Sequence, residues 1–357
     1  MEYLKTALYH QHKKQNAKIL PFAGFYMPIQ YTSIKKEVLA VRQFAGMFDV
    51  SHMGELIVEG EDALKFVDYL ITNDMKKAGV GKAVYSPLCR DNGTIIDDLI
   101  AYRISDKKIL LCVNAANIKK DYNWMAAQVG NFDCRLSDCS DDYSLLAVQG
   151  PQAYSVVESM ALLNERPSRF ATKVIVKDGE EVIIARTGYT GEDGLEIFCS
   201  HSMALTLWRS LLDKKVVPCG LAARDVLRLE VGYPLYGHEL NDTVTPLDTG
   251  LSWTVKFHKK DFMGKKVLMN YNPRFIPVKL SLEKGIPREN YKVLNEKEEI
   301  IGHVTSGSMG ITINGKGIAL ASIKKEKYPE NEKFLIEIRG KFHAARFHKK
   351  PFVIGGG

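Results

Sequence analysis

A chain of 357 residues with 45% hydrophobic and 25% charged residues has the usage of an ordinary globular protein and, at about 150 residues per domain, room for two to three domains. That excludes a single small module, wholesale disorder, collagen and a coiled coil. The formal charge of +7 is uneven: residues 255–357 hold 21 Lys+Arg against 10 Asp+Glu, net +11, leaving 28 against 32, net −4, for residues 1–254, a split that suits nucleic acid, an acidic protein, a polyanionic small molecule or simply a solvated lysine surface.

In chain order, residues 55–59 read as a strand, and Asp62 ahead of Ala63, Phe66, Val67 and Leu70 reads as the cap of an amphipathic helix. Residues 94–104 and 108–114 are rich in β-branched side chains and predict a hairpin turning at Ser105-Asp106-Lys107. A helix over 117–129 is expected to place Trp124 and Met125 on its apolar face. Residues 143–149 predict a strand ended by Gly150-Pro151, which opens a helix over 153–160. Strands at 174–176, 181–186 and 194–199, then a helix over 204–212 and a turn at Cys219-Gly220, repeat that plan in the rhythm of a ferredoxin-like split unit. The helix over 222–230 turns Leu227 and Leu229 to the core. Residues 255–276, with Lys259, Lys260, Lys265, Lys266 and Pro273, read as a linker with a helical turn. Beyond it every expected element is a strand, at 277–282, 300–306, 317–323, 334–338 and 343–347, which predicts a small β-barrel or jelly roll.

No stretch approaches the roughly 18 apolar residues of a membrane span, and the opening Met-Glu-Tyr-Leu-Lys has neither the apolar run nor the cleavage site of a signal peptide. A cytoplasmic protein with no membrane partner is expected. Cys89, Cys112, Cys134, Cys139, Cys199 and Cys219 form no C-x-x-C pair and have no histidine at zinc spacing, so reduced thiols and no metal are expected.

Three segments carry candidate chemistry. Asp97 and Asp98 sit inside an otherwise apolar strand, where consecutive residues face opposite sides, so each face receives one carboxylate. A carboxylate there is costly unless partnered, which leaves a satisfied structural acid or a functional one. The segment Arg186-Thr-Gly188-Tyr189-Thr-Gly191-Glu-Asp193-Gly194-Leu-Glu196 reads as a loop in which glycines let backbone approach a flat ligand, or as an ordinary glycine-rich hairpin. It lacks the Lys-Ser/Thr of a P-loop. Arg224 and Arg228, at i and i+4, share a helix face, where pairing with acids such as Glu196 or Glu230 is the ordinary alternative to ligand binding. An interior acid, an aromatic-glycine loop and a forked cation together suit a flat heterocycle with amide-like edges, such as a pterin. His10 and His12 are expected at the surface, and His52 as a turn histidine with satisfied hydrogen bonds rather than a general acid or base.

These segments belong to an ordered set of motifs running from Thr6-Ala-Leu-Tyr9 to Pro351-Phe352: Pro21-Phe-Ala-Gly24, Phe48-Asp49-Val-Ser51-His52-Met53, Gly93-Thr-Ile-Ile-Asp97-Asp98, the 186–196 loop, Gly220-Leu-Ala-Ala-Arg224-Asp225, Thr245-Pro246-Leu-Asp248 and Gly302-His-Val-Thr305-Ser306-Gly307. In them the chain resembles the T protein of the glycine cleavage system, the tetrahydrofolate-dependent aminomethyltransferases, over essentially its whole length. The resemblance implies an α+β fold of three domains in a cloverleaf: residues 1–54 with 141–254 as a discontinuous folate-binding domain, 55–140 supplying the catalytic strand, and a barrel or jelly roll over 277–357. It implies Asp98 as the essential acid beside N5 of the pterin, Glu196 and Arg224 as holders of the pterin and folate body, and Met53, Tyr85, Ile100, Asn114, Tyr189 and Tyr236 as lining. It implies tetrahydrofolate as cosubstrate and the lipoylated H protein as partner. Two features depart from the family pattern. Gly355-Gly-Gly follows Pro351-Phe352-Val-Ile where an aromatic or basic residue often reaches the folate, and Gly93-Thr94 stands in place of two glycines. Of two rival readings, folate-binding proteins of iron-sulfur assembly carry a Lys-Gly-Cys motif where this chain has Tyr236-Gly237-His238-Glu239, and a nucleic-acid-binding role lacks a recognisable aromatic RNA-binding motif in the basic third.

Overall fold

The computed structural model describes residues 3–356. The chain opens with β1 (Leu4–Lys5), α1 (Tyr9–Lys14), the hairpin β2 (Lys18–Phe22) and β3 (Phe25–Gln30), α2 (Ile34–Gln43) and β4 (Gly46–Asp49). β5 (Gly54–Glu59), α3 (Ala63–Leu70), β6 (Lys82–Cys89), β7 (Ile95–Ser105), β8 (Lys108–Val113), α4 (Ile118–Ala126) and β9 (Arg135–Asp138) come next. They are followed by β10 (Ser144–Gln149), α5 (Ala153–Glu158), β11 (Thr172–Lys177), β12 (Glu180–Ala185), β13 (Gly194–Cys199), α6 (His201–Asp213), β14 (Val217–Pro218) and α7 (Leu221–Glu230). The remainder holds α8 (Lys265–Met269), β15 (Phe275–Leu282), β16 (Lys292–Leu294), β17 (Ile300–Met309), β18 (Gly317–Lys324), β19 (Phe334–Ile338) and β20 (Lys341–His348).

Two units divide these elements. The first takes the residues up to Ser86, Asp98–Arg224 and the chain from Gly355; the second takes Pro87–Asp97 and Asp225–Ile354.

In the first unit a six-stranded sheet runs β11-β12-β13-β10-β4-β14. Helix α6 starts where the Ser200 hydroxyl accepts from Met203 N, satisfying a donor that the helix itself cannot. Its buried Met203, Ala204, Leu207, Trp208 and Leu211 follow helical spacing, and they pack on the sheet face formed by Leu146, Val148, Leu195 and Ile197. Strand alternation then assigns Glu196 and Phe198 of β13 to the opposite face.

The five-stranded sheet runs β6-β7-β8-β5-β9. Ile100 pairs with Cys112 and Cys112 with Glu55, so Asp98, Ile100 and Tyr102 of β7 share one face with Cys112 and Glu55. Tyr102 meets Phe198 edge-on with ring centroids 5.2 Å apart, which brings this face against the Glu196 face of the six-stranded sheet.

In the second unit six strands close a barrel in the order β15-β18-β17-β16-β19-β20, around buried Val278, Leu280, Val293, Val304, Ala319, Ile323, Phe334 and Ile336. Closure leaves no unpaired edge. Of the two expected architectures, the structure has the barrel.

Several local expectations change. Asp62 precedes α3 but makes no cap bond; its Oδ2 accepts from Asp133 N. Helix α4 ends at Ala126, with Met125 buried and Trp124 half-buried. The hairpin β2–β3 and strand β6 had no counterpart among the expected elements. Pro21, Pro28 and Pro87 interrupt their sequences, and β2 is mostly exposed, so the alternation that marks a half-buried strand is missing. Strand β16, at three residues, is too short to show a period. Among the described residues no helix is long and apolar enough to cross a membrane.

Candidate active site

Asp97 and Asp98 part company as the pleat requires. Asp97 is wholly buried and belongs to the second unit, whereas Asp98 is half-buried in the first. Tyr85 on β6 donates its hydroxyl to Asp98 Oδ2 at 3.0 Å, and Asn114, directly after β8, donates Nδ2 to Asp98 Oδ1 at 2.9 Å. Three strands thus fix one carboxylate. Ile100 lies two residues along the same face, and Met53 sits just before β5. Both are half-buried.

Glu196 is buried on the opposing sheet. Its Oε2 accepts from Thr187 and, at 3.2 Å, from the Tyr102 hydroxyl. Among the described residues its Oε1 has no protein partner, so one acceptor oxygen is left for a ligand.

The loop that carries Thr187 and Tyr189 is held by a residue absent from the sequence-based candidates. Gln149, at the end of β10, is wholly buried; its Nε2 donates to Thr187 O at 3.1 Å and its Oε1 accepts from Thr190 Oγ1 at 2.8 Å. A Cβ on Gly188 would stand 2.0 Å from this amide, and one on Gly194 2.2 Å from it. The two glycines are therefore the space through which Gln149 reaches the loop. The available signal was a polar residue ending the otherwise apolar run Leu145-Leu-Ala-Val-Gln149. Arg42 adds a second tether, donating to Thr190 O at 2.7 Å and to Glu192 at 2.9 Å. The terminal glycines meet this same loop, with Gly356 N donating to Glu192 Oε2 at 3.1 Å.

Arg224 stacks its guanidinium over the Tyr189 ring at 5.0 Å, and its Nη1 is buried without a hydrogen-bond partner. Glu230 accepts from Thr312 N at 2.8 Å. The helix-side ion-pair network belongs to Arg228, which donates to Asp225 at 2.8 Å, to Glu239 at 3.1 Å and to Ser306 at 2.8 Å. Of the two arginines at i and i+4, one is held by several protein groups and the other keeps a buried nitrogen that no described residue bonds.

Two of the three histidine expectations change. His10 is exposed as expected, but His12 is wholly buried, with Nε2 2.8 Å from Asp49 Oδ2 and Nδ1 2.8 Å from the Tyr31 hydroxyl. Burial pushes the Asp49 carboxyl up, yet bonds from His12, Ser51 and Thr6 outweigh it and hold the group near 2. This network anchors the start of the segment that ends in Met53. His52 is 4% exposed, and its Nδ1 has no partner rather than a satisfied one.

Tyr236 lies in the second unit. Burial, then the carboxylates of Asp242 and Asp97, push its hydroxyl above the usual tyrosine range, and the hydroxyl bonds Asp242. The remaining named residues gather in the first unit. The Asp98 and Glu196 carboxylates, one stacked and under-satisfied arginine, and Tyr85, Tyr189, Met53 and Ile100 are side chains that suit a flat ligand edged with N–H groups and carrying an acceptor.

Residues 8–259 match the family model of the GCVT N-terminal domain, and residues 276–353 match that of the glycine cleavage T-protein C-terminal barrel domain. The aminomethyltransferase of Thermosipho melanesiensis is 47% identical to this chain, over 98% of it and 97% of the relative. That of Staphylococcus carnosus is 43% identical over 97% of both. The crystal structure of the glycine cleavage system aminomethyltransferase T from Bartonella henselae superposes with a TM-score of 0.93 at 33% identity, covering 99% of each chain. Matched over nearly its whole length in sequence and in fold, the chain belongs to the glycine cleavage T-protein family of aminomethyltransferases.

Proposed function

We propose that the protein transfers the methylene of an aminomethyl group, carried on the dihydrolipoyl arm of H protein, to tetrahydrofolate, giving 5,10-methylenetetrahydrofolate, ammonia and dihydrolipoyl H protein. This is the glycine-catabolic branch of one-carbon metabolism, and we place it in the cytoplasm. The observation that carries the reading is the Asp98 carboxylate, half-buried and held from both sides by Tyr85 and Asn114 in a chain of this family. Orphaned Arg224 Nη1 and the spare oxygen of Glu196 support a folate-sized ligand, because buried polar groups left unpaired by the protein ask for a partner.

Tetrahydrofolate, when bound, supplies the nucleophilic nitrogen, so the protein needs no nucleophile of its own. Tyr85 and Asn114 fix the Asp98 carboxylate in place, where it can orient an N–H group of the substrate. Its fixed negative charge favours positive charge developing on the reacting nitrogen, without reorganisation at the moment of reaction. Glu196 and Arg224 would hold the ligand's polar edges, while Met53, Ile100 and Tyr85 would exclude water. Alignment by these residues, rather than covalent chemistry, is the expected source of rate.

Asp98→Asn keeps shape and removes charge. It should abolish folate- and H-protein-dependent ammonia release while tetrahydrofolate binds within about tenfold of the parent, because the charge matters mainly in the transition state. Near-normal turnover in this variant, or no ammonia release by the parent protein supplied with both substrates, would remove the proposal.

A further inference from the structure

Strands β15 and β20 pair antiparallel, with Lys279 opposite His348, Leu280 opposite Phe347 and Ser281 opposite Arg346. Leu280 lies in the barrel core and Phe347 packs against it, so alternation sends Lys279, Ser281, Arg346 and His348 to the outer face. Directly opposed side chains start about 5 Å apart and diagonal ones about 7 to 8 Å apart, within reach of long side chains. The register of the sheet thus gathers an ammonium, a guanidinium, an imidazole and a hydroxyl into one patch of the second unit. Arg346 is exposed and Lys279 and His348 are half-buried, so a solute can reach all three.

Like charges on neighbouring strands weaken a sheet unless an acid is set against them. Elsewhere on this barrel acids are supplied: Lys292 meets Glu337 at 3.1 Å, Lys333 meets Glu296 at 2.7 Å, and Lys316, at the entry to β18, meets Glu283 at 2.6 Å. Among the described residues neither Lys279 nor Arg346 has a carboxylate partner. The Lys279 stem lies beside the turn after α7, where a Cβ on Gly232 would stand 3.0 Å from its Cδ, and burial pulls its ammonium below the usual lysine range. A desolvated cation without a counter-charge does not stabilise the barrel.

His348 completes the patch as a positioned, neutral group. Its Nε2 is 2.8 Å from Ser281 Oγ, and its ring meets Phe352 edge-on with centroids 5.1 Å apart, so its orientation is set from two sides. Burial, then the Arg346, Lys316 and Lys279 cations, hold the imidazole below its usual range. With the Ser281 hydroxyl donating to Nε2, the proton of the neutral ring sits on Nδ1, which makes that nitrogen a donor.

We propose that the outer face of β15 and β20 is a binding site for a small multivalent oxyanion, a phosphate ester or a group of clustered carboxylates, held by Lys279 and Arg346 with His348 beside them. The anion supplies the negative charge that the protein omits here and supplies elsewhere on the barrel. The site lies wholly in the second unit and goes beyond the aminomethyl transfer proposed above.

The test follows the His348 ring resonances of the full chain, labelled with 15N histidine, while inorganic phosphate or citrate replaces sodium chloride at constant ionic strength. A bound oxyanion should move these resonances saturably, with half-saturation at or below about 1 mM. It should also raise the pH midpoint of His348, because its charge offsets Lys279, Arg346 and Lys316, of which only Lys316 has an acid, Glu283, against it. Lys279→Met keeps the stem and loses the charge, and should weaken binding about tenfold, as should Arg346→Gln, since each removes one charge-assisted contact. Lys292→Met, which removes a lysine already paired with Glu337, should bind as the parent does. If Lys279→Met does not fold, Arg346→Gln decides, because its side chain is exposed. Saturation by phosphate alone supports a phosphate ester as the occupant, and saturation by citrate alone supports carboxylates. Resonances that drift without saturating in both titrations, or an affinity unchanged in the variants that fold, would overturn the site and leave a solvated basic face.

Discussion

Burying a carboxyl group carries two different consequences in this protein, depending on whether hydrogen bonds come with it. Asp49 receives them from His12, Thr6 and Ser51 and stays ionised. Glu55, 1% exposed on the same sheet face as Asp98, has neither oxygen bonded; burial and then the Asp138 charge push its carboxyl well above the usual range. A raised native value means that the folded chain keeps a proton which the unfolded chain releases above about pH 4.5. Stability from this group is complete below that pH and is lost as pH rises toward the native value. Glu55→Gln removes the linkage. Its stability relative to the parent should therefore rise from pH 5 to pH 8, by up to about 1.4 kcal/mol per pH unit. Denaturant unfolding at a series of pH values measures this, and parallel curves for the two proteins would show that Glu55 does not titrate in that window. Sequence alone does not distinguish these two acids, because two of the three partners that separate them lie far along the chain, Thr6 being 43 and His12 37 residues from Asp49.

At the scale of elements, what was legible in the sequence is what local chemistry decides. The 222–230 helix, the paired strands 94–104 and 108–114, and the glycine loop each advertise themselves within about ten residues, by period or by turn residues. The Asp97-Asp98 pair was legible for the same reason, as acids interrupting an apolar strand, but local chemistry did not choose between the two; only the family resemblance pointed to Asp98. The holder of the loop was not legible, since Gln149 acts on Thr187 and Thr190 from 38 and 41 residues away. The Gln149 amide passes between Gly188 and Gly194, so a methyl group on either must displace it. Gly188→Ala should then lower tetrahydrofolate affinity through Thr187 and Tyr189, which support Glu196 and Arg224, and should cost about 1 to 3 kcal/mol of stability from overpacking. Gln149→Ala in the Gly188→Ala background makes room for the methyl group and should recover part of the stability but not the affinity, because the bonds to Thr187 and Thr190 stay lost. Titration calorimetry with thermal unfolding reads both quantities. Recovery of affinity in the double variant would show that the amide fills space and does not position the loop.

Across the whole molecule, charge is the property that the sequence stated outright and that the fold leaves at the surface. Residues 255–357 carry net +11 against −4 for the rest. In the second unit Lys324, Lys325 and Lys327 are exposed at the end of β18, as are Lys349 and Lys350 after β20. Their ties are weak or peripheral: Lys325 to Asn272 at 2.7 Å, Lys327 to a backbone oxygen at 3.4 Å, Lys349 to Glu332 at 3.9 Å. Exposed pairs of this kind contribute little to stability, so a role in folding is a poor explanation for so many lysines. Association is the better one, if the lipoyl carrier is acidic as the proposed reaction partner of a basic surface should be. Raising salt from low to physiological strength should then raise the apparent KM for H protein, because ions screen steering over about 8 to 10 Å. The rate at saturating H protein should change much less, since the chemistry is confined to groups screened by burial. Reversing Lys324, Lys325 and Lys327 to glutamate tests one surface, and reversing Lys349 and Lys350 tests the other. Each reversal that matters should raise KM and flatten its salt dependence. A KM indifferent to salt, with both reversals silent, would leave these lysines as a solvated face whose charge keeps the protein soluble and has no part in meeting its partner.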